Sequence, residues 1–233
     1  MTELQPARAK ETASRELIHL TIPVGMLQCN CTIIGDPLTR EALVIDPGDE
    51  VTRITDLLAR HKLTVKAIVS THAHIDHVGG LSKLHQITGA PVLMHQEDLP
   101  LYQAMEMQAA FLGVRAPEIT SIDNLLKEGD ILRWGDYQAR IIHTPGHTPG
   151  SVCLYVPQEA GIVTLVAPQL IAGDTLFAGS IGRTDLWGGS MPKIMDSLRS
   201  KLLQLPDATV VYPGHGPATT IAKERHTNPF LIT

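Results

Sequence analysis

Residues 70–80 of this chain, STHAHIDHVGG, place three histidines and one aspartate within six positions, directly after a strand-like run at 65–69. Because alternate side chains of an extended segment face the same way, His72, His74 and Asp76 can converge. His77 then points elsewhere and is available to a second ion. Imidazole and carboxylate groups suit zinc, iron or manganese. The stretch therefore predicts a metal site in which one segment serves two adjacent ions.

Three later fragments each add one potential ligand at a turn that contains glycine. TPGHTPGS at 144–151 contributes His147, AGDTLF at 172–177 contributes Asp174, and YPGHGP at 212–217 contributes His215. Each turn lies beside a strand-like run, and turns at strand ends are where a rigid scaffold presents functional groups. Together with the first stretch, these fragments predict one site built from distant parts of the sequence.

With these motifs in this order, the sequence resembles the metallo-β-lactamase superfold and, within it, the short glyoxalase II-like hydrolases. The resemblance extends from about residue 17 to the C-terminus. It implies an α/β (α+β) fold, a four-layer αββα sandwich with metals at one edge, and the order of predicted strands and helices fits this architecture. We therefore expect a single domain over residues 17–233, preceded by a flexible tail over residues 1–16.

The resemblance also implies two divalent metal ions, which we expect to be zinc, with iron and manganese as alternatives. For the first ion it implies the ligands His72, His74 and His147. For the second ion it implies Asp76, His77 and His215, and it implies Asp174 as the carboxylate that bridges the two. The residue types agree with this on their own, because three neutral imidazoles with solvent form an open, catalytic zinc site.

The reaction predicted for such a site is hydrolysis of a thioester. A hydroxide that bridges the metals attacks the carbonyl, and a thiolate leaves without needing a general acid. Asp76 is the side chain expected to orient the hydroxide or accept its proton. The occupied site has a charge of about +1, which favours a small anionic substrate. For Arg183, in the segment GRTD at 182–185, a structural salt link is the favoured interpretation, and binding of that anion is the alternative to test first.

Hydroxyacylglutathione hydrolase is the activity that the resemblance favours, through PGHG at 213–216 and the tail ERHTNPF at 224–230. Full-length glyoxalase II enzymes continue into a C-terminal helical region with glutathione contacts, so a lactonase or broad esterase is an alternative here. A mono-iron persulfide dioxygenase is the rival class, because it shares GRTD and uses counterparts of His72, His147 and Asp174. The PGHG form at His215 favours the hydrolase. A non-catalytic member would have lost ligands, and all seven are present.

Composition narrows the expected partners and location. A net charge of −5 argues against a nucleic-acid partner. No apolar run reaches the roughly 18 residues of a membrane span, and residues 1–16 lack the apolar core of a secretory signal. We therefore expect a cytoplasmic protein without a membrane partner. Cys29, Cys31 and Cys153 do not form a disulfide framework.

The segment 96–127 stands between the two halves that bear the motifs. A methionine- and alanine-rich helix is predicted over 99–112, followed by an irregular stretch over 113–124. Core packing is the simpler interpretation, but the position makes the segment a possible helical lid or wall over the site. Outside it, a helix is predicted over 192–205. His143 is expected to support a ligand, and Asp46 to fix its own loop.

Overall fold

The computed structural model of the protein describes residues 16–160 and 163–232. The flexible tail expected over residues 1–16 lies outside this range, apart from Glu16. None of the helices in these two ranges is long and apolar enough to cross a membrane.

The first β-sheet is built from the N-terminal half and contains six strands in chain order. They are β1 (Ile18–Val24), β2 (Cys29–Gly35), β3 (Glu41–Ile45), β4 (Thr64–Val69), β5 (Val92–His95) and β6 (Asn124–Leu126). The first three strands pair antiparallel, whereas β3 to β6 pair parallel. Because parallel strands end at the same edge of a sheet, the loops that follow β3, β4 and β5 leave it side by side.

The C-terminal half forms the second sheet and two short hairpins. Its strands are β7 (Ile131–Trp134), β8 (Tyr137–His143), β9 (Val152–Val156), β10 (Glu159–Ala160), β11 (Val163–Thr164), β12 (Gln169–Gly173), β13 (Leu176–Phe177), β14 (Ser180–Ile181), β15 (Val210–Pro213) and β16 (Thr219–Thr220). The six-stranded sheet has the order β16-β15-β12-β9-β8-β7, in which only the β12–β15 pair is parallel. The hairpins are β10–β11 and β13–β14.

Helices cover the outer faces of both sheets. They are α1 (Val51–Arg60), α2 (Ile75–Val78), α3 (Leu81–Thr88), α4 (Leu99–Gln103), α5 (Met105–Leu112), α6 (Met191–Asp196) and α7 (Ile221–Thr227). Alternation along β2 shows why the chain makes layers: Ile33 packs in a cluster with helix residues, whereas Ile34 packs in a cluster with the second sheet. A third cluster joins the second sheet to α6 and α7. The expected αββα sandwich is therefore confirmed.

Three details differ from the sequence-based expectations. The helix predicted over 99–112 is broken at Ala104, because the Leu101 carbonyl accepts hydrogen bonds from the Ala104 N–H and from the Gln108 side chain. The helix predicted over 192–205 is regular only in α6; a wider turn at Ser197–Lys201 and a tighter one at Leu202–Gln204 follow it. The irregular stretch ends in a strand, β6, which pairs with β5.

Candidate metal centre

Two imidazoles of the first motif and one of the second converge in a three-histidine cluster, formed by His72, His74 and His147. His72 and His74 lie in the loop after β4, and His147 lies in the turn between β8 and β9. His74 Nδ1 is 2.8 Å from His147 Nε2, which is 3.2 Å from His72 Nε2. All three side chains are buried. Three ring nitrogens from two loops thus point at one small volume.

Burial keeps these imidazoles neutral. It lowers the pKa of His74 to about 3, and neighbouring imidazoles act in the same direction. Burial likewise lowers the pKa of His72 well below its usual range, and it lowers that of His147. A neutral imidazole offers a lone pair to a cation, so the cluster is in the protonation state that a metal requires.

The second group, called here the Asp76 cluster, contains Asp76, His77 and His215. Asp76 Oδ2 is 3.1 Å from His215 Nε2 and 3.7 Å from His77 Nε2. His215 follows β15, whereas Asp76 and His77 share the single turn of α2. The expectation that an extended backbone aligns Asp76 with His72 and His74 is wrong, because the chain becomes helical at Ile75. Asp76 and His77 therefore belong to the same cluster.

Charge distinguishes this cluster from the first. Burial lowers the pKa of His77, but Cys29 and then the carboxylates of Asp174, Asp76 and Asp46 outweigh it, and the pKa lies well above its usual range. For His215, burial is likewise outweighed by the Asp76 hydrogen bond and Asp174, so its pKa is raised. Burial raises the pKa of Asp76, but His77 and His215 outweigh it and hold the carboxyl ionised.

Asp174 lies between the two clusters, at the end of β12. Its Oδ1 is 3.4 Å from His77 Nε2, and its Oδ2 is 3.6 Å from His147 Nε2 and 3.8 Å from His215 Nε2. Oδ1 is buried and has no hydrogen-bond partner among the described residues. A buried, unpartnered carboxylate oxygen beside imidazole nitrogens is costly unless a cation completes it. The residues present therefore fit divalent metal ions, and each cluster has the donor set to hold one.

Asp46, just after β3, fixes the loop that follows β4, whereas the sequence predicted that it fixes its own loop. Its Oδ1 accepts the Thr71 N–H at 2.7 Å and its Oδ2 accepts the Thr71 hydroxyl at 2.6 Å. The same Oδ2 lies 3.0 Å from His77 Nδ1, which orients the ring so that Nε2 faces the site. Cys29 Sγ also lies 3.4 Å from His77 Nδ1, and burial raises the pKa of the Cys29 thiol to about 12. Cys29 is thus a neutral, buried neighbour of His77.

Two positioning residues were missed by the sequence analysis. Asp98 is fully buried and accepts the N–H of Ala73 at 2.8 Å, the N–H of Gly150 at 2.5 Å and the Thr148 hydroxyl at 2.8 Å, which joins the two loops of the three-histidine cluster. Gln108, on α5, accepts the Ile75 N–H and donates to the Ala73 carbonyl. A glutamine among the apolar residues of the methionine- and alanine-rich stretch was the available signal for Gln108, although Gln103 gives the same signal; nothing in the sequence marks Asp98.

Arg183 forms the structural salt link that the sequence predicted, whereas His143 supports a ligand only indirectly. The Arg183 guanidinium makes a two-pronged ion pair with Asp185, at 2.7 and 2.8 Å, and lies at the rim of the cleft. Its carbonyl accepts His147 Nδ1 at 2.8 Å, which orients that ring. His143 stacks on His95 and hydrogen-bonds to the Pro149 carbonyl at 2.9 Å. His143 therefore supports the turn that bears His147, not the His147 ring itself.

Two glycines allow the backbone to approach the site closely. A Cβ at Gly214 would overlap Asp174 Oδ1 and lie 2.7 Å from His77 Cε1. A Cβ at Gly48 would overlap the Asp76 carbonyl. Neither position has a positive φ. The requirement for glycine is therefore one of space: the strand ends of both sheets meet at this edge without side chains between them.

A cleft with two lobes opens over the clusters. The inner lobe, of about 280 Å³, has His74, Asp76, His147, Asp174 and His215 at its base. The outer lobe, of about 240 Å³, is lined by glycine backbone and by the side chains of Asp49 and Arg115, among others. The lobes share Leu27, Ile75, Asp76 and Leu112. Asp76 therefore lies where the two lobes meet.

A sequence profile of the metallo-beta-lactamase superfamily matches residues 24–215, a span that includes all seven converging residues. The chain belongs to the metallo-beta-lactamase superfamily, whose members bind divalent metals, and it is a metallo-hydrolase of that superfamily. The resemblance seen in the sequence is confirmed at this level.

Particular relatives narrow the comparison. Hydroxyacylglutathione hydrolase GloC of Haemophilus influenzae is 36% identical over 90% of this chain and 96% of its own. Among solved structures, BLEG-1 B3 metallo-beta-lactamase has a TM-score of 0.83 at 36% identity, covering 93% of this chain and all of its own. The structure of TTHA1623 in a di-iron-bound form has a TM-score of 0.78 at 37% identity, and the match covers 91% of this chain and all of that one. ETHE1 from Myxococcus xanthus has a TM-score of 0.74 at 28% identity, and the match covers 91% of this chain and 83% of that one.

Proposed function

We propose that the protein is a metal-dependent thioester hydrolase that, like hydroxyacylglutathione hydrolase, cleaves glutathione thioesters. The observation that carries this proposal is the convergence of two complete donor clusters on Asp174 at the base of a cleft. GloC, a hydroxyacylglutathione hydrolase by name, is similar over nearly its whole length, which supports the same activity.

In this proposal the three-histidine cluster would hold one divalent ion and the Asp76 cluster would hold the other, with Asp174 between them available to both. Two such ions, when bound, supply hydroxide at neutral pH and polarise the substrate carbonyl. The chain's own residues position the reaction: Asp46 and the Arg183 carbonyl fix the rings of His77 and His147. Zinc is our first expectation, while the di-iron form of TTHA1623 supports iron as an alternative.

Asp76 is the proposed proton acceptor. Its side chain is 17% exposed, more than those of His77 or His147, and it lines both lobes of the cleft. A carboxylate at that junction can orient the attacking oxygen and take its proton while the thioester C–S bond breaks and the thiolate departs. Because a thiolate is a good leaving group, no second side chain is needed to protonate it.

A second candidate, a mono-iron persulfide dioxygenase, is favoured by the GRTD segment at 182–185. That activity would use His72, His147 and Asp174 and would leave the Asp76 cluster without a role. Here Asp76 and His215 converge with 3.1 Å between their donor atoms, as closely as the rings of the other cluster do. The hydrolase is therefore the better proposal.

The test measures metal content and S-D-lactoylglutathione hydrolysis, before and after chelation and after return of zinc, iron or manganese. We expect about two metal equivalents and turnover that disappears with the chelator and returns with metal. His147→Ala should lose turnover, whereas His226→Ala, an exposed histidine outside both clusters, should keep it. One iron per chain with oxygen uptake on glutathione persulfide would establish the dioxygenase instead. Turnover of nitrocefin alone would establish β-lactam hydrolysis.

A further inference from the structure

The inner lobe has an apolar, aromatic side that the hydrolytic chemistry does not require. Trp187 lies edge-on to His74, with ring centroids 6.1 Å apart, and Phe111 lies edge-on to Trp187 at 5.4 Å. The three rings form a row that begins at a proposed metal ligand and runs outward. Phe111 comes from α5 and Trp187 from the loop before α6, so two separate segments build this row. We call Phe111, Leu112, Leu186 and Trp187 the aromatic wall.

Exposure sets Phe111 apart from core packing, whereas Leu112 and Trp187 of the aromatic wall are partly buried and pack against the first core cluster. Phe111 is 63% exposed although it is a large apolar side chain on a helix whose other face is buried. Leu27, which lines the lobe opposite the helix, is 43% exposed. Apolar side chains concentrated around a concave site are typical of surfaces that a ligand covers. The cost of leaving Phe111 in water is offset if an apolar group of the substrate packs against it.

The polar groups around the cleft show which part of the substrate belongs here. The rim cation of the inner lobe, Arg183, is already paired in a two-pronged contact with Asp185. The outer lobe, in contrast, contains Arg115, which forms no salt bridge among the described residues, together with Asp49. A charged thiol carrier therefore fits the outer lobe better, and the uncharged acyl group remains for the inner lobe.

We propose that the aromatic wall binds the acyl group of the substrate, and that the protein prefers thioesters with apolar acyl chains of medium length over small hydroxyacyl groups. This inference rests on the proposed thioester hydrolysis and names the substrate class for it. It also gives the segment 96–127 a role, as the wall that supplies Phe111 and Leu112. Selection would come from burial of methylene groups against the wall, worth up to about fourfold in kcat/KM for each methylene.

The kinetic test uses the metal-loaded protein and a series of glutathione thioesters with D-lactoyl, acetyl, butyryl, hexanoyl and octanoyl groups. We expect kcat/KM to rise two- to fourfold per methylene and to exceed that of the D-lactoyl ester. Phe111→Ala should flatten the series, because the long-chain esters lose more kcat/KM than the acetyl ester does. Phe230→Ala removes an equally aromatic side chain, 45% exposed, that does not line the cleft, and it should leave the slope unchanged.

A binding test does not depend on turnover. The chain has two tryptophans: Trp134 is fully buried between the sheets, whereas Trp187 lines the inner lobe. Octanoate should therefore change the tryptophan emission saturably, acetate should not, and Trp187→Phe should abolish the change. An active enzyme with a flat acyl series and no octanoate response would overturn this inference and leave the hydrolase standing. Octanoate binding without hydrolysis of any thioester would overturn the hydrolase and keep the apolar ligand site.

Discussion

The three-histidine cluster and the Asp76 cluster lie on either side of Asp174 but are built differently. The first is enclosed: its imidazoles are buried, neutral and held by Asp98, Gln108 and the Arg183 carbonyl. The second is more open, since the His215 side chain is 29% exposed and Asp76 is 17% exposed. Its outer support is Asp46, which orients His77 and also holds Thr71, next to His72 of the first cluster. One half of the centre is therefore preformed by the fold, and the other is shaped in part by what binds there.

This difference has a consequence for metal binding. A ligand whose ring orientation is fixed by a second hydrogen bond gains metal affinity, because less freedom is lost when the ion binds. His147 has such a partner, whereas no hydrogen bond from His215 Nδ1 is seen within the described residues. We therefore expect the three-histidine cluster to hold its ion more tightly. The Asp76 cluster should be the half that exchanges metal and meets the substrate.

Removing one ligand from each half should separate them with the largest effect. His215→Ala leaves the three-histidine cluster complete, so we expect about one metal equivalent to remain after dialysis. His147→Ala leaves only two imidazoles on that side, and we expect that ion to be lost. Loss of an outer support typically lowers activity about 10- to 100-fold, and both of these variants should lose more than that. The measurement is the number of metal equivalents that each variant retains after dialysis, with His226→Ala as control. Equal metal loss in His215→Ala and His147→Ala would refute the difference in affinity between the two clusters.

The outer supports allow a milder version of the same comparison. Asp98→Asn puts an amide group where two N–H donors and a hydroxyl now meet a carboxylate, so the three-histidine cluster should lose about 10- to 100-fold in metal affinity. Asp46→Asn should weaken the second ion to a similar extent through His77, and the first ion less, through Thr71 beside His72. Asp123→Asn is the matched control, because Asp123 also accepts a strand N–H, from Val92, but lies away from both clusters.

Competition titrations with a metal-binding dye would measure these affinities for each ion. If Asp46→Asn released the first ion as readily as the second, the two halves would have to be treated as one cooperative site. Unfolding experiments on the metal-free variants would show whether any loss comes from the fold and not from the site.

The converging residues were predictable because each motif keeps its donors within a few positions of a strand end. The αββα layers were predictable too, since strands such as β2 alternate between two apolar faces. The grouping of Asp76 was not predictable from alternation, because α2 begins one residue before it. Asp98 could not be found either: its partners lie 25 to 52 residues away, and such long-range hydrogen bonds leave no local pattern.

The smallest expected effect lies away from both clusters, at the turn after β2. Asp36 accepts N–H groups from Leu38 and Thr39 at that turn and from Asp136 between β7 and β8, so it ties the two sheets together. Burial raises its pKa, but these hydrogen bonds outweigh burial and set the pKa below its usual 3.8. We expect Asp36→Asn to lower the free energy of unfolding by about 1 kcal/mol at pH 7.

The sign of the pH dependence follows from the lowered pKa. A carboxyl whose pKa is lower in the folded state stabilises the fold fully above the unfolded value of 3.8, and this stabilisation disappears as the pH falls through the folded value. The difference between Asp36→Asn and the parent should therefore be the same at pH 7 and pH 5 and smaller at pH 3.5, in urea unfolding of the metal-free proteins. Asp56→Asn, at an exposed position on α1, is the control. Because Asp36 contacts neither cluster, metal content at pH 7 should not change; a loss of metal would mean that the sheet edge and the metal centre are coupled through the sandwich.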